Sequence, residues 1–196
     1  MANRAYLIES SAENPVHREG PPAIALAAGK NCIPVYWCSL FDTECIRSNR
    51  ATLLGGRSGV YSYLVTSSTE ARARALQRQR WLEQVTPASH PAMIEQWFGF
   101  LDRIELPFIH LDAMEIWAML EASEFDRYLQ ICLGAFERPA EAPSKNELWL
   151  EMLDTAGIDA NDLAGTVRGW KLAGHSWGTS RLSWEAEPEG TSPGPV

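Results

Sequence analysis

The sequence has no apolar run approaching the roughly 20 residues that a membrane-spanning helix requires. It also lacks a basic segment followed by an apolar segment at its start, because charged residues recur through the first 20 positions. Both absences favour a cytoplasmic protein, and we expect no membrane partner.

Cysteine is scarce, and its four positions, Cys32, Cys38, Cys45 and Cys132, form no C-x-x-C pair. A chain of this size without a secretory signal has little need of disulfide bonds. Cys38 lies in an apolar run and Cys132 at a core-facing position of a predicted helix. We therefore predict buried, reduced thiols for both rather than metal ligands or redox centres.

Positive charge is scarce in the second half of the chain. Residues 95–162 carry 15 Asp and Glu against 4 Lys and Arg, a net charge of −11, whereas residues 1–94 have a net charge of +3. Phosphate contacts need clustered cations, so we expect no nucleic-acid partner. A basic protein partner is electrostatically complementary to such a surface. The alternative is a solvated acidic surface that keeps the protein soluble.

No complete catalytic motif is present. Gly174-His175-Ser176-Trp177-Gly178 matches the G-x-S-x-G pattern of a nucleophilic serine, whose acid and histidine partners follow it in the chain. Here no histidine follows Ser176, and only 20 residues remain. The pattern therefore predicts a glycine-rich hairpin turn.

A second chemical candidate is the spacing of His110, Asp112 and Glu115 at the predicted junction of a strand and a helix. These side chains could ligate a metal, but Asp112 and Glu115 also fit an N-cap and its partner in the first helical turn. We predict no catalytic residue, metal or cofactor. An enzyme with a site near these three residues remains an alternative.

What the sequence does contain is ample material for a core, with 45% hydrophobic residues and 8 Trp. Short apolar runs predict strands at Ala5–Glu9, Ile33–Phe41, Val60–Val65 and Leu106–Leu111, and a late antiparallel pair at Thr166–Leu172 and Ser180–Trp184. Residues 42–59 are expected to form a polar connection.

Helical spacing predicts helices at Ala23–Ala28, Thr69–Val85, 91–104, Asp112–Leu120, 123–136 and 144–156. Ser123 with Asp126, and Ser144 with Glu147, are candidate capping boxes, and Gly157 is a candidate C-terminal cap. Strands and helices alternate irregularly, which favours a single α+β domain over residues 1–184, with a mixed or antiparallel sheet and several amphipathic helices packed against it. Residues 185–196 are rich in proline and predict a disordered tail.

The predicted helix at 69–85 carries Arg72, Arg74, Arg78 and Arg80, which spread over a broad arc. Such a face either is solvated, pairing with the acidic half of the chain, or binds an acidic partner or phosphate. A scaffold or regulatory protein that uses the Arg72–Arg80 helix is therefore a further alternative.

The carboxylates of the second half lie opposite the apolar stripes of their predicted helices and should point outward. We predict that a partner binds through seven of them: Glu115, Glu121, Glu124, Asp126, Glu147, Glu151 and Asp154. Exposed aromatic residues, among the Trp residues, would anchor the contact.

Two segments, Met1–Leu7 (MANRAYL) and Ile33–Phe41, followed by Tyr61–Val65 and an Arg/Ala-rich helix, resemble a family of uncharacterised bacterial proteins over roughly the first 85 residues. Proteins of this kind are associated with polymorphic toxin loci, where small cytoplasmic proteins act as immunity partners. The resemblance implies a non-enzymatic protein that binds and neutralises a cognate toxin by occluding its active site.

Overall fold

Alternating burial along the first strand sets the two faces of a sheet. In the computed structural model, which describes residues 3–14, 22–52, 58–137, 146–176, 182 and 184, the strand β1 covers Arg4–Ser10. Ala5 and Leu7 are fully buried, whereas Tyr6 and Ile8, which alternate with them, are partly exposed. Successive side chains of a strand point to opposite faces, so one face of β1 enters the core.

The other strands within the described residues are β2 (Ala23–Lys30), β3 (Ile46–Thr52), β4 (Ser58–Ser67), β5 (Phe108–Asp112) and β6 (His175–Ser176). They form one sheet in the order β3-β4-β5-β1-β2-β6, and every neighbouring pair is antiparallel.

The helices of the described residues are α1 (Val35–Cys38), α2 (Ser68–Gln77), α3 (Gln79–Val85), α4 (Met93–Leu101), α5 (Met114–Trp117), α6 (Ala122–Gly134), α7 (Glu147–Thr155), α8 (Leu163–Thr166) and α9 (Gly169–Ala173), with a 3₁₀ turn at Thr43–Cys45. The protein is thus an α+β protein with an antiparallel sheet, as predicted. None of these helices has the length and apolar character needed to cross a membrane.

One row of side chains marks the buried face of the sheet. In the strand register Leu64 lies opposite Leu111, Leu111 opposite Leu7, and Leu7 opposite Ala27. All four belong to one hydrophobic core, which continues through the helices to Trp184. This row fixes the register, because a slip of one residue would turn the leucines to the opposite face.

Three predicted elements are wrong. Ala23–Ala28 is not a helix but part of β2, because pairing with β1 overrides the helix preference of its alanines. Ile33–Phe41 is not a strand: it contains α1, whose four residues are all buried. Its continuous apolar run indicates that the segment is buried, but such a run occurs in a short buried helix as well as in a buried strand. The polar connection at 42–59 contains the strand β3.

The predicted late strand pair is also wrong. Residues 166–172 contain the end of α8 and most of α9, and the only strand described in this region is the two-residue β6. The segment Ser180–Arg181 lies outside the described residues, as do Ser183 and the predicted tail at 185–196. The described Trp184 belongs to the core, where its indole nitrogen donates to the carbonyl of Gly174 at 2.8 Å.

The helix ends test the predicted caps. Gly157 ends α7 with a positive φ of 66°, and the N–H of Ile158 donates to the carbonyl of Leu153, as a glycine C-cap requires. The capping box of α6 uses Glu121 and Glu124 instead of Ser123 and Asp126. Asn146 caps α7, and Ser144 lies outside the described residues.

The predicted helix at 69–85 is interrupted at Arg78, which separates α2 from α3. The Arg78 side chain is buried and donates to the carbonyls of Ser39, at 2.9 Å, and Phe41. Its guanidinium also lies over the ring of Phe136. Arg78 therefore joins the α1 segment to the helices, and it is not part of an exposed basic face.

We expect Arg78→Met to lower the free energy of unfolding by about 2–4 kcal/mol, because two buried carbonyls lose their donor. The apolar stem is kept, so the loss reports the hydrogen bonds. Urea denaturation measures it. Arg80→Met is the matched control: Arg80 is exposed, and its replacement should change stability by less than about 0.5 kcal/mol. Equal losses for the two variants would contradict a structural role for Arg78.

Candidate functional site

The face of the sheet opposite the leucine row holds a cavity of about 530 Å³. Ile8 lines its floor between two register neighbours, His110 of β5 and Ala25 of β2. Ala23 and Ala25 also line it, and their small side chains leave space that larger ones would fill. The volume lies within the range of about 300–1,000 Å³ that is usual for small-molecule sites.

His110 is buried in the wall of this cavity because β5 is an interior strand. Its Nε2 lies 2.9 Å from the carbonyl oxygen of Ala12, which can only accept, so Nε2 carries a proton. Burial lowers the pKa of His110 below its usual value. The imidazole is therefore neutral near pH 7, and its Nδ1 is an acceptor.

Asp112 lies two residues further along the same face of β5 and also lines the cavity. Its Oδ1 accepts a hydrogen bond from the N–H of Met114, the first residue of α5, at 2.9 Å, but the N-cap of α5 is Ala113 and not Asp112 as predicted. Its Oδ2 has no hydrogen-bond partner among the described residues. Burial raises the pKa of Asp112, and the nearby carboxylate of Glu115 raises it further.

Glu115 has a different role from the one predicted. Its two carboxylate oxygens accept hydrogen bonds from the backbone N–H of Arg4 and the hydroxyl of Tyr6, each at 3.0 Å. Glu115 thus attaches α5 to β1 and is neither the partner of a helix cap nor a free surface carboxylate. Within the described part of the chain, no group of three or more His, Cys, Asp and Glu is placed to hold a metal ion.

Two tyrosines of β4 complete the wall. Tyr63 stacks on His110 with ring centroids 6.4 Å apart and planes 14° from parallel, and Tyr61 lies 6.2 Å from Tyr63. Burial raises the pKa of Tyr61, and the charge of Asp112 adds to this effect. The cavity therefore combines aromatic rings, a neutral imidazole and one carboxylate oxygen without a partner.

The second candidate surface is the outward face of α7. Glu147, Leu150, Glu151 and Asp154 follow at spacings of three, four and seven residues, which places them on one stripe of the helix. Leu150 is 38% exposed, and it lies among three carboxylates. An apolar side chain surrounded by polar groups matches the apolar centre and polar rim of many protein-binding surfaces.

Helix α6 packs beside α7. Arg127 of α6 forms an ion pair with Glu151 at 2.8 Å, and Gly134 of α6 lies against Leu148, so the two helices run in opposite directions. Both partners of the ion pair are substantially exposed, so it contributes little to stability. It shows that the two acidic helices lie side by side.

The structure brings together only some of the seven predicted partner-binding residues. Glu147, Glu151 and Asp154 share the α7 stripe, and Glu121 and Glu124 cap the adjacent helix α6 while remaining exposed. Asp126 turns toward the sheet and accepts a hydrogen bond from Ser62 at 2.9 Å. Glu115, as described, binds β1 elsewhere.

The expected aromatic anchors are not on this surface. Of the Trp residues that the structure describes, six are buried and only Trp170 is partly exposed. The exposed apolar side chains of the acidic region are Met119, Leu148 and Leu150. Among the described residues, leucines and no tryptophan are therefore exposed on α7.

The arginines of α2 and α3 contact the protein itself more than the sequence suggested. Arg74 forms an ion pair with Asp42 at 2.7 Å, and Arg72 forms one with Asp102. Arg78 is buried, as described, and Arg80 is exposed. This pattern agrees with the interpretation in which the basic helix pairs with the chain's own carboxylates.

The serine and cysteine candidates have structural surroundings. Ser176 lies in β6, where it pairs with Ala27, and no helix begins among the described residues that follow it. The four cysteines are buried and form no disulfide bond. Burial raises the pKa of Cys32 to about 11, and a hydrogen bond with Cys132 together with burial raises that of Cys38, so these two thiols stay protonated.

No family model matches the sequence, and no match is found among curated proteins or solved structures. The candidate sites therefore rest on the geometry of this chain. The sequence reasoning missed Tyr61 and Tyr63, although their alternation with Ser62 in a predicted strand signals one shared face. It could not have found Asn49, another cavity residue, because the strand β3 was not predicted.

We expect the free energy of unfolding to fall as the pH is lowered from about 6.5, because His110 resists protonation in the folded protein but not in the unfolded chain. Because folding lowers the pKa of His110, the resulting stabilisation is fully present at a pH above the pKa of the unfolded chain. It is lost as the pH falls through the lower pKa of the folded protein. Urea denaturation of the wild type and His110→Gln at pH 7.5 and 5.5 measures it.

The wild type should lose more stability over this interval than His110→Gln. His90→Gln is the control, since His90 lies in a loop at the surface, and it should behave as the wild type does. The same pH dependence in the wild type and His110→Gln would show that His110 is not the group responsible.

Proposed function

We propose that this protein is a cytoplasmic immunity protein, which binds a cognate bacterial toxin domain and neutralises it by occluding its active site. The observation that carries the proposal is the α7 stripe, in which the exposed Leu150 lies among Glu147, Glu151 and Asp154. Carboxylates attract a basic partner over long distances, and a central apolar residue gains free energy when water leaves it.

The surroundings of α7 support the same function. Helix α6 lies alongside α7, with Arg127 paired to Glu151, and the exposed Glu124 of α6 extends the negative surface. Many toxin domains that act on nucleic acid need a basic surface to bind phosphate. An acidic protein surface competes for those same cations, so one charge pattern serves both recognition and inhibition.

The resemblance of Met1–Leu7 and Ile33–Phe41 to proteins of polymorphic toxin loci supports this proposal from a different part of the chain. The two other functions have less support. Glu115, the third residue of the enzyme alternative, uses both carboxylate oxygens to bind β1. In the Arg72–Arg80 alternative, Arg72 and Arg74 already form ion pairs within the chain. Arg78 is buried and cannot contact a partner.

Co-expression with the protein encoded by the adjacent gene tests the proposal. We expect wild-type protein to rescue growth, and purified wild type to bind that protein with an association rate that falls as salt is added. Glu147→Gln with Asp154→Asn should lower the association rate about three- to tenfold, because the loss of two interface charges weakens electrostatic steering. Stopped-flow or surface-based kinetics measure it.

The matched control is Glu95→Gln with Glu105→Gln, which changes the net charge equally at exposed positions outside α6 and α7. We expect these two changes to leave most of the association rate intact. Leu150→Ala should act mainly on the dissociation rate, because it removes contact area and no charge. Cells that die as fast with the wild-type protein as without it would refute the immunity function. Equal rates for the two double variants would refute the α7 surface.

A further inference from the structure

The sheet cavity has no role in the proposed toxin contact, since none of its lining residues belongs to α6 or α7. It is lined by residues of the five strands β1 to β5 and by Met114 of α5, and its floor is largely apolar. Its polar groups are Ser10 of β1, Asn49 and Arg50 of β3, and the tyrosines, His110 and Asp112 of β4 and β5. Cavities of this kind are typical binding sites for small molecules.

The charge of the cavity selects the class of ligand. Asp112 is half-buried, and its Oδ2 has no hydrogen-bond partner among the described residues. No ion pair within the described part of the chain reaches it. A carboxylate that is partly removed from water and has no cation beside it is disfavoured, and a cationic ligand would stabilise it.

The aromatic residues favour the same class. Tyr61 and Tyr63 line the cavity beside His110, and the negative face of an aromatic ring attracts a cation. The neutral imidazole adds an acceptor at Nδ1, which can bind an N–H group of the ligand. Aromatic rings together with a carboxylate and an imidazole acceptor suit an ammonium or amidinium group.

The nearby arginines do not reverse this charge. Arg47, which lies opposite Tyr63 in the register, forms an ion pair with Glu13 at 3.5 Å. Arg50 contributes to the lining but is exposed, and alternation along β3 directs its side chain to the face opposite Asn49 and Ala51. Neither arginine neutralises Asp112.

We propose that the cavity binds a small organic cation, with an ammonium or amidinium group at Asp112 and a flat apolar body between the tyrosines and the alanines of β2. Ala23 and Ala25 leave the space for that body, and Ile8 forms its floor. The site is distinct from the α7 surface, so either proposal can fail without the other.

Benzylamine and its neutral analogue benzyl alcohol, titrated into the full chain at pH 7 by calorimetry and NMR, test the site. We expect benzylamine to bind about tenfold more tightly than benzyl alcohol, and to shift the resonances of His110 and Tyr63. Asp112→Asn should remove this preference, because it removes the charge while its side-chain oxygen can still accept from Met114. Glu95→Gln, an exposed carboxylate on α4, is the control and should keep the preference.

A second variant covers the case in which Asp112→Asn does not fold. Ala25→Leu adds bulk at a half-buried cavity position and should weaken the binding of both probes about tenfold or more. Binding of benzylamine that is no tighter than that of benzyl alcohol would overturn the proposal. So would binding that survives Ala25→Leu, or a preference that persists in folded Asp112→Asn.

Discussion

The insertion of β5 between β4 and β1 is the constraint on which the rest of the structure depends. Leu111 lies opposite Leu64 on one side and Leu7 on the other, and this row closes the buried face of the sheet. The same register sends His110 and Asp112 to the opposite face, where they become walls of the cavity. A shift of one residue would bury the charged group and expose the leucine, so the core and the cavity are specified together.

Charge is distributed over this framework in two different ways. The cations of α2 and α3 are largely used inside the molecule, since Arg74 pairs with Asp42 and Arg78 donates to buried carbonyls. The carboxylates of α7 face outward, and Arg127 is the cation that pairs with them among the described residues. The chain therefore neutralises its basic segment and leaves an acidic one exposed. Exposed like charges repel one another, and a basic partner would relieve that repulsion.

Periodic sequence patterns predicted the longer helices well. The stripes of α4, α6 and α7 have spacings near 3.6 residues, and Gly157 ends α7 as its position indicates, because both features depend on local geometry. The short apolar segments were less predictable. Residues 23–28 favour a helix by composition but form β2, and 33–41 favour a strand but contain α1. In both segments contacts with distant residues determine the secondary structure, because they outweigh local preferences of a few tenths of a kcal/mol per residue.

The sequence by itself determined the α+β class, the amphipathic helices, the acidic second half and the buried thiols, because each follows from composition or from spacing along one element. Only the tertiary structure decided which carboxylates act together. Glu147 and Asp154 share a stripe with Leu150, Glu115 binds the first strand, and Asp112 faces a cavity. It also decided that Tyr61, Tyr63 and His110 meet, since β4 and β5 are separated by three helices in the chain and come together only through the register of the sheet. Contacts between residues far apart in sequence leave no periodic signal, so they are read from the folded chain.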